Sequence, residues 1–220
     1  MKDKTVLITG SGSFATAMVG RLLELGVKEI RIFSRSEKSQ YVLGGLYNDN
    51  RLKFIIGDIR DYEAVSKALQ DVDICMHSAA MKFIDKCQQN PFECIKTNIL
   101  GSMNVIQGCI NNKVNKLVCL STDKATNATT IYGTSKMAME QMCQNVNSED
   151  TTIVLTRYGN VLGSNGSVVP YFKKLASEGK PLTITDPNMT RFFMSMNEAL
   201  NLVLYALENG KDKDLFVFNN

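Results

Sequence analysis

Short apolar runs alternate with amphipathic stretches from Thr5 to Arg157, and that rhythm leaves few folds open. The runs Thr5–Thr9, Glu29–Phe33, Leu52–Ile56, Asp73–His77, Lys116–Leu120 and Thr152–Arg157 predict strands. Between them, Phe14–Leu25, Ser36–Tyr47, Tyr62–Leu69, Pro91–Asn112 and Ile131–Asn147 predict helices. The strand runs are rich in Val, Ile and Leu on both faces, as a parallel sheet covered by helices on each side requires. The fold class that follows is α/β, a doubly wound parallel sheet. After Arg157 the rhythm weakens, and Gly159, Gly163, Gly166, Pro170, Gly179, Pro181 and Pro187 predict loops and short elements over the strands' carboxyl ends. A helix near Ser195–Asn209 and the start of a strand at Asp214–Val217 follow.

Composition removes several function classes. The 220 residues suit one domain, or one domain with a small lobe. With 25 basic and 22 acidic side chains the net charge is +3, and no basic run is present, which argues against nucleic-acid binding. No apolar stretch is long enough to cross a membrane, and MKDKTVLITG is a charged lead into a strand with no signal-peptide core. The expectation is a soluble, cytoplasmic protein. Six cysteines occur without a C-x-x-C pair and His77 is the single histidine, so no metal site is expected. Cys75 and Cys119 read as small hydrophobes inside strands, and His77 as a satisfied core or cleft residue. The N-x-S/T sequons at Asn127, Asn165 and Asn188 read as sequence noise.

The first strand runs into Gly10-Ser11-Gly12-Ser13-Phe14-Ala15, a Gly-x-Gly-x-x-Ala turn between strand and helix. Glycines there permit a tight turn and let the backbone approach a pyrophosphate at the helix N-terminus, so dinucleotide binding is expected. The second strand ends Ser34-Arg35-Ser36, with no acid until Glu37. An acid at that point would hydrogen-bond the ribose of NAD, whereas Arg35, helped by Ser34 and Lys38, suits a 2′-phosphate; the expected cofactor is NADP. Asp58 and Ile59, ending the third strand, offer an oxygen and an apolar wall for adenine. The dinucleotide-binding domain is expected over residues 1–158, with a partial substrate lobe over 159–220 interleaved with it.

After the fifth strand comes LSTDKATNATTIYGTSKMAME, in which Tyr132 and Lys136 share one helix face. A tyrosine hydroxyl ionises near pH ~10, so service as a base at neutral pH requires stabilising the phenolate by roughly 4 kcal/mol. The Lys136 ammonium and an oxidised nicotinamide ring would both favour the phenolate. Met137, Met139 and Met142 read as helix packing.

These features together resemble the extended short-chain dehydrogenase/reductases that act on nucleotide sugars, a Rossmann family. The blocks HSAAMKF, NPFECIKTNILGS, STDKA, RYGNVLGSNGSVVP and DPNMTRF narrow the resemblance to the inverting UDP-N-acetylglucosamine 4,6-dehydratases of flagellin-glycan and capsule synthesis. The resemblance runs from Thr5 to about Val217, and since such relatives continue further, it implies an incomplete substrate lobe. It implies Tyr132 as the base at the C4 hydroxyl, Lys136 as the holder of the nicotinamide ribose, Lys124 as the base at C5 and Asp123 as the acid for the C6 hydroxyl. Plain 4-epimerases of this scaffold carry a hydroxyl residue where Asp123-Lys124 stands. The resemblance further implies Ala79 beside the cofactor, Lys82, Asn160, Ser167 and Arg191 on a UDP-sugar, and a homo-oligomer. A nucleotide-sugar epimerase and a non-catalytic NADP-binding module are the alternative readings.

Overall fold

The computed structural model describes residues 1–164 and 166–218; the sequon at Asn165 lies outside the described residues. The first half runs β1 (Thr5–Thr9), α1 (Ser13–Glu24), β2 (Glu29–Ser34), α2 (Glu37–Tyr47), β3 (Leu52–Ile56), α3 (Tyr62–Ala68), β4 (Ile74–His77), α4 (Ile84–Gln89) and α5 (Pro91–Ile95). A π turn (Lys96–Leu100) leads into α6 (Gly101–Asn111) and β5 (Lys116–Thr122). A 3₁₀ turn (Asp123–Ala125) then precedes α7 (Ile131–Asn145) and β6 (Thr152–Tyr158). The remainder is β7 (Asn160–Val161), α8 (Val168–Ser177), β8 (Phe193–Met194), α9 (Met196–Asn209) and β9 (Leu215–Val217).

Seven strands form one parallel sheet in the order β3-β2-β1-β4-β5-β6-β9, a Rossmann-like α/β fold. Strand periodicity divides the core between the faces. Val6 and Ile8 of β1 join Met18 and Leu22 of α1 and Val203 and Leu207 of α9. Leu7, between them, joins Val65 of α3, Val105 and Ile106 of α6 and Met139 of α7 on the other face. The buried α1 residues Ala15, Met18, Val19 and Leu22 recur at helical spacing, which is why this segment folds as a helix against the sheet. Ser195 and Glu198 form a reciprocal capping box that starts α9.

The predicted Pro91–Asn112 helix is interrupted by the π turn, and the short α4 has no counterpart among the predicted helices. The extra residue in that turn brings Asn98 inward, where its amide accepts from Met81 N at 2.8 Å and donates to Met81 O at 2.9 Å and Ser135 Oγ at 3.0 Å. The region after Arg157 holds the separate β7-β8 ribbon and α8, which buries none of its residues. Sheet order changes direction between β1 and β4, so the chains leaving these two strands diverge and open a crevice at their carboxyl ends.

Candidate active site

That crevice is a cleft of about 790 Å³ bounded by the ends of β1, β2, β4, β5 and β6. Gly10 takes a φ of +90° and donates to Phe33 O at 2.8 Å. A Cβ there would be strained by that φ and would crowd Ala79 Cα and Ser78 Oγ, both at 3.3 Å. Gly12 begins α1 without a side-chain cap, and the space a Cβ would take is empty. Ser11, Gly12, Ser13 and Phe14 line the cleft, so the amides of the first turn meet open space there. This cradle fits the pyrophosphate of a dinucleotide.

Arg35, Asp58, Ile59 and Ala79 line the same cleft. The Arg35 side chain is 56% exposed and reaches Asp58 Oδ2 at 3.5 Å. Burial raises the Asp58 pKa, but the hydrogen bonds from Arg60 and the two nearby guanidinium charges hold it below the usual carboxylate range. Ser34 also lines the cleft, with its Oγ accepting from Gln40 Nε2 at 3.0 Å. Ser36 caps α2 through Ser39 N at 3.2 Å, and Lys38 in its first turn is exposed and outside the cleft lining.

Thr130 caps α7 by accepting from Gly133 N at 3.1 Å. A Cβ on Gly133 would run into the Lys124 carbonyl, so glycine is what lets α7 close against the 3₁₀ turn. Tyr132 and Lys136 then face the cleft one helical turn apart. Lys136 is 4% exposed, with Nζ 3.2 Å from Met139 Sδ, and burial brings its pKa down to about 8. Tyr132 shifts the opposite way from expectation. Burial pushes its pKa up to about 12, the hydrogen bond with Thr122 offsets only part of this, and the Asp123 charge adds to the rise. His77 is fully satisfied in the core, with Nδ1 2.8 Å from Thr9 Oγ1 and Nε2 2.9 Å from Ser102 Oγ. Burial and then the Lys136 charge lower its pKa to about 3.

Thr122 is the site residue that sequence reasoning missed. It lines the cleft together with Tyr132, and its Oγ1 donates to Asp123 Oδ1 at 2.9 Å and accepts from Lys124 N at 3.4 Å. The signal was present in Ser121-Thr122 but was overshadowed by the charged pair that follows. That pair is not arranged as a separate acid and base: Lys124 Nζ donates to Asp123 Oδ1 at 2.9 Å and to Asn160 Oδ1 at 3.0 Å. Lys124 and Asn160 line the cleft and Asp123 does not.

Lys82 lines the cleft with Nζ 5.7 Å from the Phe83 ring centre, and burial lowers its pKa. Ser167 stands at the start of α8 on the cleft wall, its buried Oγ without a hydrogen-bond partner among the described residues. Arg191 is not brought together with these residues. It sits in a stretch exposed from residue 181 to 193, donates to its neighbour Thr190 O at 2.7 Å, and does not reach the cleft. Among the described residues no group of His, Cys, Asp and Glu could hold a metal, and no helix is long and apolar enough to cross a membrane.

Comparison with known proteins accounts for this combination. The family profile described as "Polysaccharide biosynthesis protein" matches residues 6–220. The chain belongs to that family. The UDP-glucose 4-epimerase of Rickettsia rickettsii (strain Sheila Smith) is 46% identical over 98% of this chain. The chain spans 66% of that relative's length. The X-ray structure of Pen from Bacillus thuringiensis superposes with a TM-score of 0.96 at 38% identity, covering 99% of this chain and 69% of Pen. DesIV of Streptomyces venezuelae, a dTDP-glucose 4,6-dehydratase solved with NAD bound, shares the fold at a TM-score of 0.88 and 20% identity, covering 97% of this chain and 74% of its own.

Proposed function

We propose that this chain carries the oxidation site of a UDP-hexose 4-epimerase, with a nicotinamide dinucleotide held in the crevice. The observation that carries the reading is that Tyr132, Thr122 and Lys136 line the same cleft as the dinucleotide cradle. The name of the 46%-identical relative supports it. When bound, the dinucleotide takes up hydride from the sugar and gives it back. Tyr132 Oη accepts the C4 hydroxyl proton as the C4 hydride departs, and returns that proton to the 4-keto oxygen when hydride comes back to the other face. Thr122 Oγ1 orients the C4 oxygen, and Lys136 Nζ holds the nicotinamide ribose. Moving the Tyr132 pKa from about 12 to 7 requires about 7 kcal/mol, which calls for positive charge close to Oη. Arg35 supports NADP over NAD, because an exposed guanidinium on the cleft wall after β2 suits a phosphate.

A second reading, C5-inverting 4,6-dehydration of UDP-N-acetylglucosamine, is favoured by Lys124 on the cleft wall, bonded to Asp123. There the proton of the Lys124–Asp123 pair passes to Asp123. The neutral Lys124 amine removes the C5 proton that the 4-ketone acidifies, Asp123 gives its proton to the leaving C6 hydroxyl, and hydride returns to C6. A solvent proton then reaches C5 from the opposite face. The Tyr132, Thr122 and Lys136 roles are common to both readings.

The deciding experiment follows UDP-glucose and UDP-N-acetylglucosamine with protein and NAD or NADP in deuterated water, by NMR and mass. Inversion at C4 with no loss of water supports the epimerase. A 4-keto-6-deoxy product with deuterium at C5 supports the dehydratase. Dinucleotide binding with both sugars returned unchanged refutes both and leaves a binding module.

A further inference from the structure

Directly behind the cleft lies a charged cluster that the proposed chemistry does not use. Glu140 on α7 is 3% exposed. Its carboxylate accepts from Ser121 Oγ at the end of β5, and from Arg157 on β6 through Nη2 and, at 3.0 Å, Nε. One carboxylate therefore ties three elements together at the point where each supplies the site. β5 carries Thr122 next to Ser121, α7 carries Tyr132 and Lys136, and β6 ends at Tyr158 on the cleft wall.

Glu140 is also one helical turn beyond Lys136, so the two lie on one face of α7. The groups around Lys136 are His77 from β4, Cys119 from β5, and Glu140, Cys143 and the Met139 sulfur from α7, with Arg157 of β6 paired to Glu140. His77 is uncharged at neutral pH, and burial with its thiol neighbour raises the Cys143 pKa well above the ordinary value. Glu140 is then the carboxylate of that surround, and its charge acts against the burial that favours neutral Lys136. A buried carboxylate held by a guanidinium and a hydroxyl is costly to keep, and an apolar residue in its place would pack the same seam.

We propose that Glu140 is a positioning residue of the site: its carboxylate locks α7 to the ends of β5 and β6 and supplies the counter-charge for the Lys136 ammonium one turn away. The inference rests on the proposed role of Lys136 for its functional meaning, but its test does not depend on turnover.

The test is a 13C NMR titration of the lysine Cε signals, with Lys136 assigned by the resonance lost in Lys136→Met. In the unchanged protein the Lys136 midpoint is expected near 8. In Glu140→Gln, which keeps the hydroxyl contact and the side-chain size, the midpoint moves about tenfold in proton concentration, toward lower pH. Glu140→Asp, which keeps the charge, restores most of it and serves as the reporter if the amide variant does not fold. A Glu140→Gln protein that folds with an unshifted midpoint, or an aspartate variant that titrates like the lysine without any counter-charge, overturns the proposal and leaves a brace between elements. If the midpoint shifts as expected while neither dinucleotide binds, the Glu140 assignment stands and the proposed function fails.

Discussion

Replacing Arg157 with Met probes how strongly the cluster behind the cleft depends on its cation. The Glu140 side chain is 5% exposed and that of Arg157 22%. The guanidinium donates twice to the carboxylate, and methionine keeps much of the stem volume while removing both donors and the charge. Leaving a buried carboxylate without its partner costs about 3–5 kcal/mol. The outer part of Arg157 touches water, and Ser121 continues to donate, so the low end, about 3 kcal/mol, is expected. At this chain length each kcal/mol moves the melting temperature by about 2–4 °C, which gives a fall of about 6–12 °C. Calorimetry and urea midpoints measure it. The companion Arg157→Met/Glu140→Gln removes the stranded charge and recovers most of the loss, because the penalty belongs to the unpaired carboxylate. A single-variant loss under about 1 kcal/mol, or a double variant as unstable as the sum of the two singles, refutes this account of the cluster.

Tyr132→Phe is expected to lower turnover by about 10²–10⁴-fold while dinucleotide binding, read by fluorescence, stays within about threefold. Lys124→Met separates the two readings: C4 inversion survives it, whereas release of a 4-keto-6-deoxy sugar is lost, as product NMR will report. Arg35→Ala should weaken NADP by about tenfold or more and leave NAD nearly unchanged, measured by titration calorimetry. Acid stability follows from His77, whose pKa falls from 6.5 unfolded to about 3 folded. Between those values the unfolded chain binds more protons, so stability is full above about 6.5 and declines as pH falls toward about 3, by several kcal/mol. His77→Gln flattens that acid limb in urea midpoints collected across the range, and an unchanged slope would exclude His77 as its source.

The sheet was legible because each strand carries its own signal. Thr5–Thr9 is apolar at every central position and is found buried throughout, with alternate residues sent to opposite faces. The glycine turn was legible for the same local reason, since the φ of Gly10 is a property of one residue. What could not be read locally depends on partners distant in sequence. In the sequence Lys38 reads as a helper to Arg35 at a phosphate, but α2 begins between them and Lys38 lies outside the cleft lining. Arg191 needed a segment that folds back over the cleft, and the exposed stretch around it does not. The π turn within Pro91–Asn112 has no signature in propensity; it is held by Asn98 bonding Met81, 17 residues earlier.

The four consecutive residues Ser121–Lys124 separate the two proposed readings. Along β5 neighbouring side chains leave opposite faces of the strand, so Ser121 turns to Glu140 behind the cleft while Thr122 lines the cleft with Tyr132. The strand then ends, and the 3₁₀ turn gives Asp123 and Lys124 to each other and to Asn160. In the proposed chemistry, oxidation at C4 would draw on the strand and on α7, both fixed by buried contacts. The fate of the resulting ketone would then depend on the turn, which Gly133 holds against α7 but which carries little of the core. Exchanging the chemistry of that turn leaves the sheet, the cradle, Tyr132 and Thr122 intact. A scaffold divided in this way can return an epimer or lose water according to two side chains, so Lys124, rather than the fold, is where the two readings part.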